Sequence, residues 1–434
     1  MDLRELDRHV LWHPFTQQAE WDPLVIARGD GNYLVDSEGN RYLDGVSSLW
    51  CNVHGHHHPR LDRALRDQAE RIAHSTFLGL THEPGIRLAA ELLEVAPRGL
   101  SRVFYSDSGS TAVEIALKQS FQFWALTGRP EKQRFLRMTE AYHGDTLGAV
   151  GVGGIDLFHR VFGPLLVQSL PITTPAGTDG RETLAQIAST LEHRAHEIAA
   201  FIFEPLIQGA AGMLVHPRGF LREVAALCAR HDVHLILDEV ATGFGRTGTM
   251  FACEQEDVAP DFLCLAKGIS GGYLPLAATL ATDEIFRAFL GEHSDKRTFF
   301  HGHTYTGNPL ACAAGIASLD VFEEEHVLEQ VAKKIRIFDH RLQQELAPLK
   351  HVLEIRQRGL MIGIELTRDK ATREPYRYEE AIGARVCAAV RRYGVILRPL
   401  GPVIVMMPPL SITEPQIEKL VGATRAAIVE VCGS

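Results

Sequence analysis

Through the middle of the chain, short aliphatic runs alternate with longer stretches of helical spacing, and this alternation constrains the fold more than any other feature. Arg102–Tyr105, Arg134–Met138, Ala200–Glu204, His234–Asp238 and Phe262–Ala266 read as strands, most of them followed by a turn or polar residue and then a helix. Successive units of this kind build a largely parallel sheet covered by helices, so the fold class is α/β. Ligand chemistry is then expected at the carboxyl ends of the strands.

The two ends of the chain read differently. GDGNYLVDSEGNRYLDG is hairpin text, in which Asp30-Gly31 and Glu38-Gly39-Asn40 punctuate alternating strands. The last third offers a helix over Val327–Leu346 and strands at Leu360–Leu366 and Gly394–Leu397. A smaller α+β domain built from residues 1–50 and 326–434 is therefore expected beside a large domain at 51–325. With 434 residues, 45% of them hydrophobic, the chain can fill both cores. A net charge of -10 without a polybasic tract excludes a nucleic-acid footprint. The start, MDLRELDRHV, lacks the apolar stretch of a secretory signal, and no apolar run approaches the roughly 20 residues that cross a bilayer, so a cytoplasmic protein with no membrane partner is expected. Seven cysteines without a C-x-x-C pair suit a reducing compartment, and none is assigned a role.

Three elements carry chemistry. Strand Arg102–Tyr105 runs into Ser106-Asp107-Ser108-Gly109-Ser110-Thr111 and then into helix formers, which places small residues at a helix start where free N–H groups favour a phosphate. The same residues could equally be a plain helix cap. Asp238-Glu239 closes an apolar strand, where a carboxylate can face a pyridine nitrogen, cap a helix or bind a metal. Lys267 follows the apolar run Phe262–Ala266, where lost solvation would lower its pKa and make it a competent amine nucleophile; a surface lysine is the bland alternative. Gly151-Val152-Gly153-Gly154-Ile155-Asp156 lacks the third glycine of a dinucleotide fingerprint, and no Walker-type loop occurs. His54-Gly55-His56-His57-His58 comes without a supporting ligand set, so no metal is expected.

Taken together, the phosphate turn, Asp238, Gly243-Phe244-Gly245-Arg246-Thr247-Gly248 and Lys267, in that order, closely resemble the class III, or ornithine-type, branch of fold-type I pyridoxal-phosphate aminotransferases. The likeness extends over essentially the whole chain. It implies a homodimer with active sites at the subunit interface. It also implies Lys267 as the Schiff-base lysine and proton shuttle, Asp238 as the pyridinium partner, and Gly109 and Ser110 as phosphate ligands. Tyr142, in Tyr142-His143-Gly144-Asp145, would stack on the cofactor ring, Val240 would pack on its other face, and Thr304 would reach the phosphate in the partner subunit.

Further stretches resemble the branch of the family that aminates 8-amino-7-oxononanoate to 7,8-diaminononanoate in biotin biosynthesis. They are Trp12 to Thr16, Ser47 to Cys51, Gly302 with Gly307 to Cys312, Arg398 to Gly401 and Met407 to Pro409. The resemblance implies Phe15, Leu49, Trp50, Tyr142, Asp145 and Gly302 around the substrate, with Arg398 clamping its carboxylate. Glu204-Pro205-Leu206-Ile207-Gln208-Gly209 is followed by Ala210-Ala211, where relatives that use 2-oxoglutarate place a gating glutamate. Leu49-Trp50 stands where many members of the branch carry two tryptophans, and Phe15 where they carry tyrosine, which reshapes the pocket and removes a donor. S-adenosylmethionine, the branch's usual donor, is expected; lysine, used by relatives with the L-W-C-N version, is the alternative. Another class III aminotransferase, an aminomutase and a non-catalytic scaffold are the remaining readings.

Overall fold

The computed structural model describes residues 2–433. Its centre is a seven-stranded sheet with neighbours in the order Leu100–Ser106, Ala277–Thr282, Phe262–Leu265, His234–Asp238, Ile198–Phe203, Arg134–Met138 and Ser169–Ile172. Six strands run parallel, and Ala277–Thr282 alone runs against both its neighbours. The strands Ile198–Phe203, His234–Asp238 and Phe262–Leu265 are buried throughout, as expected where helices cover both faces. Helix Gly109–Leu126 lays Ala112, Val113, Ala116, Phe123 and Trp124 on this sheet, and the Trp124 indole donates to the Ala199 carbonyl at 2.9 Å.

The chain ends meet one another. Ile26–Asp30, Tyr33–Asp36 and Arg41–Asp44 form an antiparallel meander, and Val395–Ile396 joins it in parallel with Val395 opposite Leu43. A separate antiparallel sheet takes the order Val352–Arg358, Met361–Leu366, Val403–Met406, Arg398–Leu400. Between the large sheet and these ends, the buried Arg246 guanidinium donates to the carbonyls of Pro408 at 2.6 Å and Asn52 at 2.8 Å, so the glycine-rich motif fastens one region to the other. Among the described residues, no helix is long and apolar enough to cross a membrane.

Candidate active site

A cavity of about 850 Å³ opens at the carboxyl ends of the central strands. The turn after Leu100–Ser106 supplies Gly109 and Ser110, and the segment after Arg134–Met138 supplies Tyr142 and Asp145. Asp238 and Val240 come from the end of His234–Asp238, Lys267 from the turn after Phe262–Leu265, and Leu49 and Trp50 from the amino-terminal region. Residues far apart in sequence thus converge because parallel strands deliver all their carboxyl ends to one edge.

Each wall has a local cause. Ser108 caps helix Gly109–Leu126 by accepting from the Thr111 N–H while the Thr111 hydroxyl accepts from the Ser108 N–H. No acceptor among the described residues takes the N–H of Gly109 or Ser110, so the first turn presents free donors and the positive end of an 18-residue helix. The Ser110 hydroxyl lies 2.7 Å from that of Thr146 and accepts the Thr146 N–H at 3.0 Å. Gly144, at φ +119°, allows this approach, since a Cβ there would lie 2.4 Å from the Ser110 side chain. Gly109 lies equally close to Val240: an added Cβ would sit 2.6 Å from its Cγ1. Gly109→Ala is therefore expected to lower stability by about 1–3 kcal/mol through overpacking, measured by denaturant unfolding; an unchanged midpoint would show that Val240 yields freely.

The two acids at the end of His234–Asp238 divide their work. Glu239 turns away and accepts the Thr242 hydroxyl and the N–H groups of Ala252 and Cys253, so its carboxylate fixes a buried turn. Asp238 faces the cavity, with Oδ1 accepting the Val240 N–H at 3.0 Å and Oδ2 lying 2.7 Å from Nδ1 of the fully buried His143. Lys267 adopts φ +45°, a conformation costing a non-glycine residue about 1–3 kcal/mol, and its Nζ lies 5.0 Å from the centre of the Trp50 ring. Burial pushes its pKa below the usual lysine value, against the pull of Asp238 and Glu204.

Two residues escape motif reading. His143 sits inside the Tyr142–Asp145 run without an assigned role, yet it holds Asp238. Glu204 lines the cavity, fully enclosed; burial raises it to about 8, helped by the Asp238 charge and opposed by the Gly209 N–H and Lys267. A raised carboxyl is invisible in sequence, where Glu204-Pro205 reads as a strand end.

Other expected residues lie apart from the cavity wall. Arg398 begins a strand, half-buried, within electrostatic reach of Tyr142, and its guanidinium has no ion pair or hydrogen bond among the described residues. The Tyr142 hydroxyl donates to Asp145 at 2.8 Å. Phe15 is exposed, its ring edge-on to Phe158 at 5.5 Å. Gly302 and Thr304 are exposed on the loop before helix Pro309–Glu324, which His303 ties to Asp107 at 2.8 Å. The clustered histidines diverge: His54 meets Ser318, His56 meets Asp44, His57 meets Asp62 and His58 meets Glu325.

Residues 16–428 match the sequence profile of the family described as aminotransferase class-III. The chain belongs to the class III aminotransferases, and its architecture is that of fold-type I. Among its relatives is the adenosylmethionine-8-amino-7-oxononanoate aminotransferase of Nitratidesulfovibrio vulgaris, 57% identical over 99% of this chain and 82% of that protein. The crystal structure of the protein of that name from Methanocaldococcus jannaschii superposes with a TM-score of 0.96 at 47% identity, covering 99% of each chain. An amine transaminase from an uncultivated Pseudomonas species, solved in its PLP-bound form, matches with a TM-score of 0.91 at 38% identity, over 97% of this chain and 99% of that one.

Proposed function

We infer that this chain transfers an amino group from S-adenosylmethionine to 8-amino-7-oxononanoate, forming 7,8-diaminononanoate, with pyridoxal phosphate as cofactor. The observation that carries the reading is the convergence of Lys267, Asp238 and a helix start with free N–H groups on one cavity. The full-length likeness to relatives named for this reaction supports the substrate pair.

The residues present fit the cofactor. Gly109 and Ser110 would hold its phosphate, Val240 and Tyr142 would flank its ring, and Asp238 would face the ring nitrogen and keep it protonated. When bound, the cofactor supplies an electron sink for the carbon that loses a proton. Lys267 would anchor it through Nζ, and the same amine, when free, would take the proton from the amino-bearing carbon. Burial, by lowering the pKa, raises the share of Nζ present as free amine, the form a base needs. His143 orients Asp238 through the contact of its Nδ1 with Oδ2 at 2.7 Å.

Arg398 clamps the keto acid's carboxylate with donors that no other described group uses, while Trp50, Leu49, Phe15 and Asp145 shape the substrate side. Arg398→Ala is expected to raise KM for the keto acid by about 10–100-fold, with a smaller change in kcat, in steady-state assays. Equal KM values would remove the clamp.

The active form in this reading is a homodimer in which Gly302 and Thr304 of each copy serve the other's cavity. Phe300 and Tyr305, exposed by 81% and 63% on the same loop, supply apolar area for such a contact. The chain divides near residues 50 and 325 into the large domain and the smaller one built from both ends.

The test is to incubate the protein and cofactor with 8-amino-7-oxononanoate and either S-adenosylmethionine or lysine, and to follow 7,8-diaminononanoate by mass spectrometry. Product with S-adenosylmethionine is expected. Product with lysine alone would reassign the donor, and product with neither would overturn the substrate.

A further inference from the structure

Glu204 and Asp238 follow directly on Phe203 and Leu237, which are paired in parallel register, so the two acids come from adjacent strand ends, and the Asp238 charge reaches Glu204. Both are buried and both line the cavity. Their settings differ. Asp238 has a donor on each oxygen, the Val240 N–H on Oδ1 and His143 on Oδ2. Glu204 has the Gly209 N–H on Oε1 at 3.0 Å and, among the described residues, no partner for the buried Oε2. Two carboxylates at neighbouring strand ends, shielded from water, do not both ionise, and the better-solvated member keeps the charge.

We propose that Glu204 and Asp238 form a one-proton carboxylate pair beside Lys267, with the proton held by Glu204, so that Glu204 is a positioning residue which withholds a second counter-charge from the lysine. The charged and titratable groups around the pair are Lys267 from the turn after Phe262–Leu265, His143 and Tyr142 from the segment after Arg134–Met138, Cys264 opposite Asp238 on the neighbouring strand, and Arg246 and Cys51, which act on Lys267. The direction of the Glu204 shift agrees with this placement of the proton. With Glu204 neutral, the lysine ammonium has one carboxylate near it rather than two, and its free amine is the more populated. Once Glu204 ionises, that advantage is lost. The effect on Lys267 deepens the aminotransferase reading and rests on it for its functional meaning, but the proton on Glu204 does not need a cofactor to be observed.

Infrared spectroscopy of the full-length protein, with carboxyl-labelled glutamate, reads the proton directly. A protonated glutamate carbonyl band is expected at pH 7, fading near pH 8 and absent in Glu204→Gln. The rate at which a small amine-reactive reagent labels Lys267, followed by peptide mass spectrometry on cofactor-free full-length protein, reads the consequence. Wild type and Glu204→Gln should coincide below the Glu204 transition and separate above it. The wild type becomes the slower, by up to about tenfold for each unit that the ionised glutamate adds to the lysine pKa. No band at pH 7, a band that persists in Glu204→Gln, or superimposable lysine profiles would overturn the proposal. If the glutamine variant does not fold, Asp238→Asn supplies the test, because removing the neighbouring charge must move the midpoint of the band to lower pH; an unmoved midpoint overturns the pairing. A protein that binds no pyridoxal phosphate would sink the functional reading and leave the infrared band in place.

Discussion

Lys267→Ala is expected to reduce turnover by at least about 10⁴-fold while leaving the fold intact, because it removes both the nucleophilic anchor and the base of the proposed mechanism. No other side chain takes its place: Nζ stands over the Trp50 ring at the end of a buried strand, and the other cavity groups named here are carboxyls, hydroxyls and a held imidazole. The truncation keeps Cβ at this left-handed position and removes no residue of the hydrophobic core. Circular dichroism and the melting temperature should therefore stay close to those of the parent, and a small primary amine added to the assay should restore part of the proton transfer. Turnover within tenfold of the parent would remove Lys267 from the mechanism.

Asp238→Asn has the second largest expected effect. The amide keeps the shape of the side chain and can still accept the Val240 N–H, but it carries no charge with which to hold a ring nitrogen protonated. A loss in kcat on the order of 10²–10³-fold is expected, the range seen when a fixed electrostatic partner of a developing charge is removed. The pH profile should change with it, since the group proposed to stabilise the protonated ring is gone. A similar loss in Glu239→Gln, with Asp238→Asn near wild type, would exchange the roles of the two acids. The hydrogen bonds argue against that exchange: Glu239 spends its oxygens on Thr242, Ala252 and Cys253.

Much of this arrangement was legible from residue order. His234–Asp238 and Arg134–Met138 form strands with the bounds that their aliphatic runs predict, and Val327–Glu345 forms the helix expected over Val327–Leu346. Two strands of the large sheet were not legible. Ser169–Ile172 contains Pro171, which a central strand would not tolerate; it is accommodated because this strand lies at the sheet edge. Ala277–Thr282 reads AATLAT, whose alanines favour helix, and its burial between two partners overrides that preference. As the one antiparallel strand, it also breaks the βα rhythm from which the others were read.

At the site, residue types were legible and environments were not. The sequence places Asp238 and Glu239 together, and only the fold turns one to the cavity and the other to a buried turn. Glu204 resembles any acid before a proline until Phe203 is seen paired with Leu237, which sets it beside Asp238. His143 and Asp238 lie 95 positions apart, a separation over which no local pattern could connect them. Arg398 is half-buried without a partner among the described residues, a feature that depends on every neighbouring element and on no motif.

In the proposed function, this cavity holds pyridoxal phosphate on Lys267 and exchanges amino groups there. The most direct measurement is the absorbance spectrum of the purified protein with pyridoxal phosphate, before and after addition of S-adenosylmethionine. A visible band that bleaches on adding the donor and returns on adding 8-amino-7-oxononanoate is the predicted result. A protein that develops no visible band with excess cofactor would contradict the aminotransferase reading.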